Sequence, residues 1–320
     1  MPEINKSLKL IIFPTEECNF RCKYCYEHFE IGRMRKDVIN GIKNLIIKRG
    51  KELKTLHLDW FGGEPLLAFD IIQNLISFAT QCSQENGFSL KSSMTTNASL
   101  FTQSRQEQLI KLGITDYQVS FDGDSDMHDK YRVTRRDTST FNIIYNNLLE
   151  FHKSHLQGNI VIRLHVNENN YDSLESLITR ISIDFKDDRR FSLFIRSLER
   201  LGSDNDPTLP VIDDEEESDA LVTALRNYAR NIVLNLFELS PSQIPVCYAA
   251  SFKSYIIRST GEIGKCTVAL YDPKNTIGRI TEDGKMHIDQ EKLRYWVRGQ
   301  FSGDRHELAC PYAYRQMEIK

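Results

Sequence analysis

The chain has no apolar run long enough to span a bilayer. Its early apolar stretch, residues 10–13, is too short for the core of an export signal, and no cleavage motif follows it. Charge of one sign is also missing. A formal net charge of −3 calls for neither nucleic acid nor an anionic membrane as a partner. Repeats and low-complexity segments are absent. An export signal is missing too, and seven cysteines in an unexported chain of 320 residues argue for metal or redox chemistry rather than a disulfide framework. What remains is a cytoplasmic globular protein, either one large domain with an appendage or two domains.

Apolar periodicity fills in the architecture. Residues 8–13 read as a buried strand closed by Pro14, and 36–51 as a helix. Residues 56–61 alternate: Leu56, Leu58 and Trp60 face one side, His57, Asp59 and Phe61 the other. Helix 71–84, strand 90–96, helix 103–112, strand 116–121 and helix 141–153 follow. Strand 159–167 puts Ile160, Ile162, Leu164 and Val166 on one face and Val161, Arg163, His165 and Asn167 on the other. Helix 173–183 and strand 190–198 complete six strand–helix steps. Such alternation implies a parallel sheet with right-handed crossovers. About 200 residues are too few for an eight-unit barrel, so the expected fold is α/β, a partial (β/α)6 barrel with working loops at the strand C-termini. Residues 200–216 break the rhythm. The acidic run at 213–217 reads as a solvated linker and helix start. Leu221, Leu225, Ala229, Ile232 and Leu236 mark an amphipathic helix ended by Pro241 and Pro245. Short strands at 255–258 and 263–268, with a Thr260-Gly261 turn, make a small α+β tail. The expected divisions are 1–200, a linker and helix at 201–240, and 241–320.

Three cysteines, Cys18, Cys22 and Cys25, fall within eight residues, separated by three and then two others. That spacing lets three thiolates converge on one [4Fe–4S] cluster from a single tight loop. Such clusters normally take four cysteines, and the next one along the chain is Cys82. One iron would be left open for a small molecule. The same cysteines with His28 could instead make a Cys₃His zinc site, or remain inert thiols. Cys82 lies in an apparent helix and reads as a buried small hydrophobe.

Two more motifs favour the cluster. Gly62-Gly63-Glu64-Pro65 closes the second strand, where paired glycines allow a backbone to approach a ligand closely. Ser120-Phe121-Asp122-Gly123, followed by His128-Asp129 and Arg132, closes the fourth. Together with the cysteine loop they resemble the radical S-adenosylmethionine (SAM) superfamily, in the branch that carries a SPASM or Twitch C-terminal domain. The resemblance implies a [4Fe–4S] cluster on Cys18, Cys22 and Cys25, with SAM on the open iron. Cleavage of SAM would then give a 5′-deoxyadenosyl radical that takes a hydrogen atom from the substrate. It further implies that Gly62, Gly63 and Glu64 receive the SAM amino group, Ser120 its carboxylate, Asn97 its ribose and Tyr24 its adenine. Arg163, facing inward by alternation, suits the carboxylate because guanidinium pairs with it in a fork. An ion pair with Asp59 is the alternative. His165 reads as a structural hydrogen-bonder.

Cys247, thirteen residues, Gly261, four residues and Cys266 fit the opening of SPASM and Twitch domains, and only Cys310 follows. The tail therefore resembles Twitch, with an auxiliary [4Fe–4S] cluster on Cys247, Cys266 and Cys310. Leftover thiols in a degenerate domain are the alternative.

The resemblance implies a peptide substrate, with a ribosomally made peptide matured by a cross-link or a backbone rearrangement. Formylglycine formation, as in anaerobic sulfatase maturases, is disfavoured, because Thr267 stands where those proteins place an aspartate base. Epimerisation would need a thiol donor, for which only Cys82 or an unligated tail cysteine is available. A small-molecule substrate and a non-catalytic SAM- and cluster-binding regulator are the other readings. With the first strand starting near Leu8, a separate leader-recognition protein or the open barrel side would bind the peptide. The reductant would be a flavodoxin or ferredoxin.

Overall fold

The computed structural model describes residues 6–202, 206–232 and 246–312. Strand and helix alternate from the start. β1 (Ser7–Ile12) leads through the cysteine loop to α1 (Lys36–Gly50), β2 (Thr55–Trp60) to α2 (Phe69–Asn86), and β3 (Ser89–Thr95) to α3 (Gln103–Lys111). β4 (Asp116–Phe121) is followed by α4 (Ser125–Tyr131) and α5 (Phe141–Lys153). β5 (Asn159–Val166) is followed by α6 (Tyr171–Asp184), and β6 (Phe191–Ser197), after an irregular stretch, by α7 (Glu215–Asn231). The tail adds β7 (Ser254–Ile257), β8 (Glu262–Gly264), β9 (Gly278–Ile280), β10 (Met286–Ile288), α8 (Gln290–Trp296), α9 (Gly299–Ser302) and α10 (Arg305–Ala309).

The chain forms two compact units: Met1–Glu17, His28–Ser93 and Leu239–Lys320 in the first, Cys18–Glu27 and Met94–Glu238 in the second. In the first unit β1 pairs in parallel with both β2 and β7, while β7–β8, β8–β9 and β9–β10 are antiparallel. The tail strands thus extend the edge of the sheet that begins at residue 7. Alternation places Leu56, Leu58 and Trp60 in the core, and the Trp60 indole N–H donates to Ser92 Oγ at 2.9 Å. Buried Glu16 accepts a short bond from Arg258 and bonds from Ser259 N and Oγ at 3.2 and 3.0 Å.

In the second unit β4–β5 and β5–β6 are parallel. Ile160, Ile162, Leu164 and Val166 are fully buried, as the period-2 pattern requires. Asp214 caps α7 by accepting from Glu217 N at 2.8 Å, and Glu215, Glu216 and Glu217 fill its first turn, where carboxylates complement the helix dipole. The acidic run is therefore a helix start. Leu236, Pro241 and Pro245, expected at and beyond the end of that helix, lie outside the described residues. Among the described residues, no helix is long and apolar enough to cross a membrane.

Candidate active site

The second unit holds Cys18, Cys22 and Cys25 in one loop laced to the segment after α4. Arg21 N donates to Val133 O at 2.7 Å and Lys23 N to Tyr131 O at 2.8 Å, and Arg135 Nε donates to Cys18 O at 3.1 Å. Phe20 bridges Thr134. These bonds fix the loop along residues 131–135. Cys18 is buried, Cys22 and Cys25 half-buried. The Cys18 sulfur accepts from Phe20 N at 3.3 Å and from Asn97 Nδ2 at 3.8 Å. Among the described residues no three Cys, His, Asp or Glu side chains close on a point where one metal ion would sit. A four-iron cluster does not ask for that, since each thiolate takes a different iron. His28, the fourth ligand of the zinc alternative, belongs to the first unit, where its ring stacks on Tyr271 at 3.9 Å.

A buried polar chain runs beside the loop. Arg132 Nη1 donates to the Tyr24 hydroxyl at 2.6 Å, and that hydroxyl donates to Asp122 Oδ2 at 2.7 Å. The other Asp122 oxygen meets His165 Nδ1 at 2.9 Å. Burial opposes charge on Asp122, yet the His165 hydrogen bond and the nearby positive groups hold its carboxyl at about 2. Burial, and then the Arg163 charge, push His165 down to about 4, so at neutral pH a neutral imidazole donates Nδ1–H to the carboxylate. His165 is thus the hydrogen-bonder that the alternation suggested. The motif residues His128 and Asp129 tie α4 to α5. His128 Nε2 meets Thr140 Oγ1 at 3.1 Å, and Asp129 accepts from Thr140 N and Phe141 N at 2.7 and 2.9 Å.

Ser120 and Arg163 share a register position on β4 and β5. The Arg163 side chain is half-buried, its Nε is buried without a hydrogen-bond partner, and burial with the Arg196 charge lowers its pKa to about 10. The Asp59 carboxylate, in the first unit, takes Lys9 and the Ser93 hydroxyl, the latter at 2.8 Å. A buried guanidinium N–H left unpaired beside a hydroxyl fits an anionic ligand such as a carboxylate. Asn97 is already committed: Nδ2 donates to Asn19 Oδ1 at 2.9 Å, and Oδ1 accepts from Ser99 N and Oγ at 2.9 and 2.7 Å. Contact with a ribose would require release of one of these bonds.

Gly62, Gly63 and Glu64 lie in the first unit. Gly62 has φ +106°, and an added Cβ would run into the Thr15 carbonyl oxygen. Its glycine is therefore already required by the exit of β1, whatever ligand approaches. Glu64 is buried; its Oε1 accepts from Leu66 N at 3.0 Å, and its N–H donates to the carbonyl of Glu17, which precedes Cys18, at 2.9 Å. The tail cysteines are also in this unit. Cys247 precedes the β7–β8 hairpin, Cys266 follows it, and Cys247 N donates to Leu308 O at 2.8 Å, near Cys310. Negative charge on Cys247 or Cys310 would raise the Cys266 thiol, which burial already pushes to about 11. Asn275 clamps Cys266 by accepting from its N–H and donating to its carbonyl, both at 2.9 Å. Cys82 is buried in α2, as a small hydrophobe.

The family model for the radical SAM superfamily matches residues 12–181. The chain belongs to this superfamily. Radical SAM proteins use a [4Fe–4S] cluster and SAM, and the cysteine loop and Arg163 fit both. The cysteine-type anaerobic sulfatase-maturating enzyme of Clostridium novyi is 28% identical over 214 residues, 63% of this chain and 54% of that protein. A PqqA peptide cyclase of Bradyrhizobium diazoefficiens is 26% identical over 116 residues, 36% of this chain and 29% of the cyclase. The chain spans about half the length, or less, of these curated relatives. Among solved structures, native anSMEcpe with bound AdoMet and Cp18Cys peptide superposes with a TM-score of 0.69 at 18% identity, covering 91% of this chain and 84% of that one. SuiB of Streptococcus suis bound to precursor peptide SuiA gives 0.60 at 18%, covering 94% and 67%. At such identities the superpositions establish the radical SAM α/β fold, here with extra C-terminal strands.

Proposed function

We propose that this radical SAM protein is an enzyme that takes a hydrogen atom from a peptide, maturing a ribosomally made precursor by a cross-link or a backbone rearrangement. The observation that carries the reading is the buried, unpaired Nε of Arg163 beside Ser120, in the same unit as all three loop cysteines. In this reading Cys18, Cys22 and Cys25 hold the cluster. Ser120 and Arg163 take the SAM carboxylate, and Gly62, Gly63 and Glu64 its amino group. Asn97 faces the ribose. Tyr24, its hydroxyl tied to Asp122, offers its ring to adenine. When bound, cluster and SAM supply one-electron cleavage to a 5′-deoxyadenosyl radical. The protein's part is to hold the anionic end of SAM on a fixed cation and to keep Tyr24 in place. Cys247, Cys266 and Cys310 hold an auxiliary [4Fe–4S] cluster in the tail, 241–320, which follows in sequence the barrel of 1–200 and the linker and helix of 201–240. A flavodoxin or ferredoxin in the cytoplasm supplies the electron, and a separate leader-recognition protein delivers the peptide.

Support for the peptide comes from relatives named for protein and peptide modification. The test is anaerobic reconstitution with dithionite and SAM, followed by assay for 5′-deoxyadenosine. A precursor peptide encoded next to this gene should then lose two hydrogens or rearrange. Absence of 5′-deoxyadenosine would leave a non-catalytic SAM-binding regulator. A second reading, a protein oxidase of the sulfatase-maturating kind, is favoured by the 28% identity. Against it stands Thr267 after Cys266, a hydroxyl engaged with the Tyr248 hydroxyl at 2.7 Å and no base near neutral pH. Formylglycine formed on a cysteine- or serine-containing sulfatase peptide would decide for that reading.

A further inference from the structure

Lysine is almost never fully buried unless it is paired, yet Lys265 in the first unit has no exposed surface. It follows β8 and immediately precedes Cys266. Its ammonium donates to the carbonyl of Ser251 at 2.5 Å and to that of Ser254 at 2.6 Å, and lies 4.9 Å from the centre of the Tyr255 ring. Both carbonyls belong to the segment that runs from Cys247 into the start of β7. One side chain therefore ties the chain after Cys247 to the residue before Cys266. The backbone there is fixed as well, since Asn275 Oδ1 accepts from Lys265 N and Cys266 N, both at 2.9 Å.

Two carbonyls satisfy hydrogen bonds of an ammonium without neutralising it. Among the described residues no carboxylate pairs with Lys265. A buried charge calls for an opposite one nearby, and the anion that acts on Lys265 is Cys247. Burial opposes the ammonium while a thiolate at Cys247 favours it, and Lys265 in turn favours that thiolate. Charges on Cys247, Cys266 and Cys310 act on one another too. We infer that Lys265 is the fixed counter-charge of the tail thiolate site and holds up the reduction potential of the cluster on Cys247, Cys266 and Cys310. Net charge and solvent exposure around an iron–sulfur cluster set its potential. Reduction adds one electron, and a fixed cation nearby stabilises the added negative charge. The inference rests on the tail-cluster reading above and adds the group that tunes that cluster.

The experiment uses the full chain with Cys18→Ala, Cys22→Ala and Cys25→Ala, so that the tail carries all the iron. This background is reconstituted anaerobically and titrated with dithionite through redox mediators, and the reduced cluster is followed by EPR. Lys265→Met keeps the length without the charge, Lys265→Gln keeps a donor without the charge, and Lys265→Arg keeps the charge. Both neutral variants should hold the iron of the background and be harder to reduce by about tenfold or more, about 59 mV lower for one electron. Lys265→Arg should stay within that margin of the background. With the loop cysteines intact, the same shift should appear in the EPR signal that SAM leaves unchanged. Unchanged potential in both neutral variants overturns the inference and leaves Lys265 a staple for two carbonyls. A potential lowered equally by Lys265→Arg overturns it too, because shape and not charge would then matter. If the neutral variants lose their iron, iron regained in Lys265→Arg supports the counter-charge, and iron that stays lost overturns it. Failure of the underlying reading appears before any lysine is changed: the background holds no iron, and wild type holds one cluster only.

Discussion

Ser120 and Arg163 face one another across β4 and β5, so a short hydroxyl and a long guanidinium leave the sheet side by side. The hydroxyl can donate to one carboxylate oxygen while the fork takes the other.

That pairing predicts a separation of SAM binding from cluster assembly. Ser120→Ala and Arg163→Ala should retain iron but bind SAM roughly tenfold to hundredfold more weakly, the loss expected for a charge-assisted contact of about 1.5–3 kcal/mol. Equilibrium dialysis with labelled SAM measures it. Unchanged affinity in both variants removes these residues from the site.

The cysteine loop predicts a spectroscopic signature. Anaerobically reconstituted protein should show a [4Fe–4S] absorption band and a reduced EPR signal that changes when SAM is added. Alanine at Cys18, Cys22 or Cys25 should abolish the SAM-responsive signal. Stoichiometric zinc without iron in anaerobically purified protein would refute the cluster.

The tail predicts an iron count. Wild type should hold about eight irons, the sum of two four-iron clusters. The triple variant Cys247→Ala/Cys266→Ala/Cys310→Ala should hold about half that amount and still cleave SAM. Equal iron in both would mean that the tail carries no cluster, and the clamp of Asn275 on Cys266 would be purely structural.

Acid sensitivity follows from His128, which is fully buried among Phe121 and Phe141. Burial lowers its pKa from 6.5 to about 4. The unfolded chain therefore binds the proton first. The contribution of His128 to stability is complete above the unfolded pKa and falls as pH drops from about 6.5 towards 4, by up to about 1.4 kcal/mol per pH unit. Urea unfolding at pH 7 and pH 5 should show the loss, to which buried His165 adds its own share, and His128→Gln should reduce that dependence. An unchanged slope would place the acid sensitivity elsewhere.

Much of this molecule was legible because its strands and helices are short and strongly periodic. The bounds of β4 and α5 coincide with the apolar pattern, and β5 buries the face that alternation assigns. The cysteine loop and Ser120 could be singled out because compact motifs carry their own chemistry. The partners of those motifs could not. Nothing local says that Arg132 reaches back to Tyr24, or that Asp122 holds Tyr24 with one oxygen and His165 with the other. These contacts span 43 to 108 residues, and only folding brings the groups together. α4 was missed because its seven residues carry little apolar periodicity; its signal is the Asp124 cap, which accepts from Met127 N at 3.1 Å. The β1–β7 pairing was missed for the same reason of distance, since the tail strands alone read as a hairpin.

That pairing has a consequence for how the protein is made. β1 leaves the ribosome well before β7, the strand that pairs with one of its edges some 240 residues later. At ordinary synthesis rates of about 5–20 residues per second, the edge stays open for roughly 10–50 seconds. Unpaired strand edges of this kind are where nascent chains pair wrongly. Lys9, in the middle of that strand, places a charge there, a common guard against edge-to-edge association.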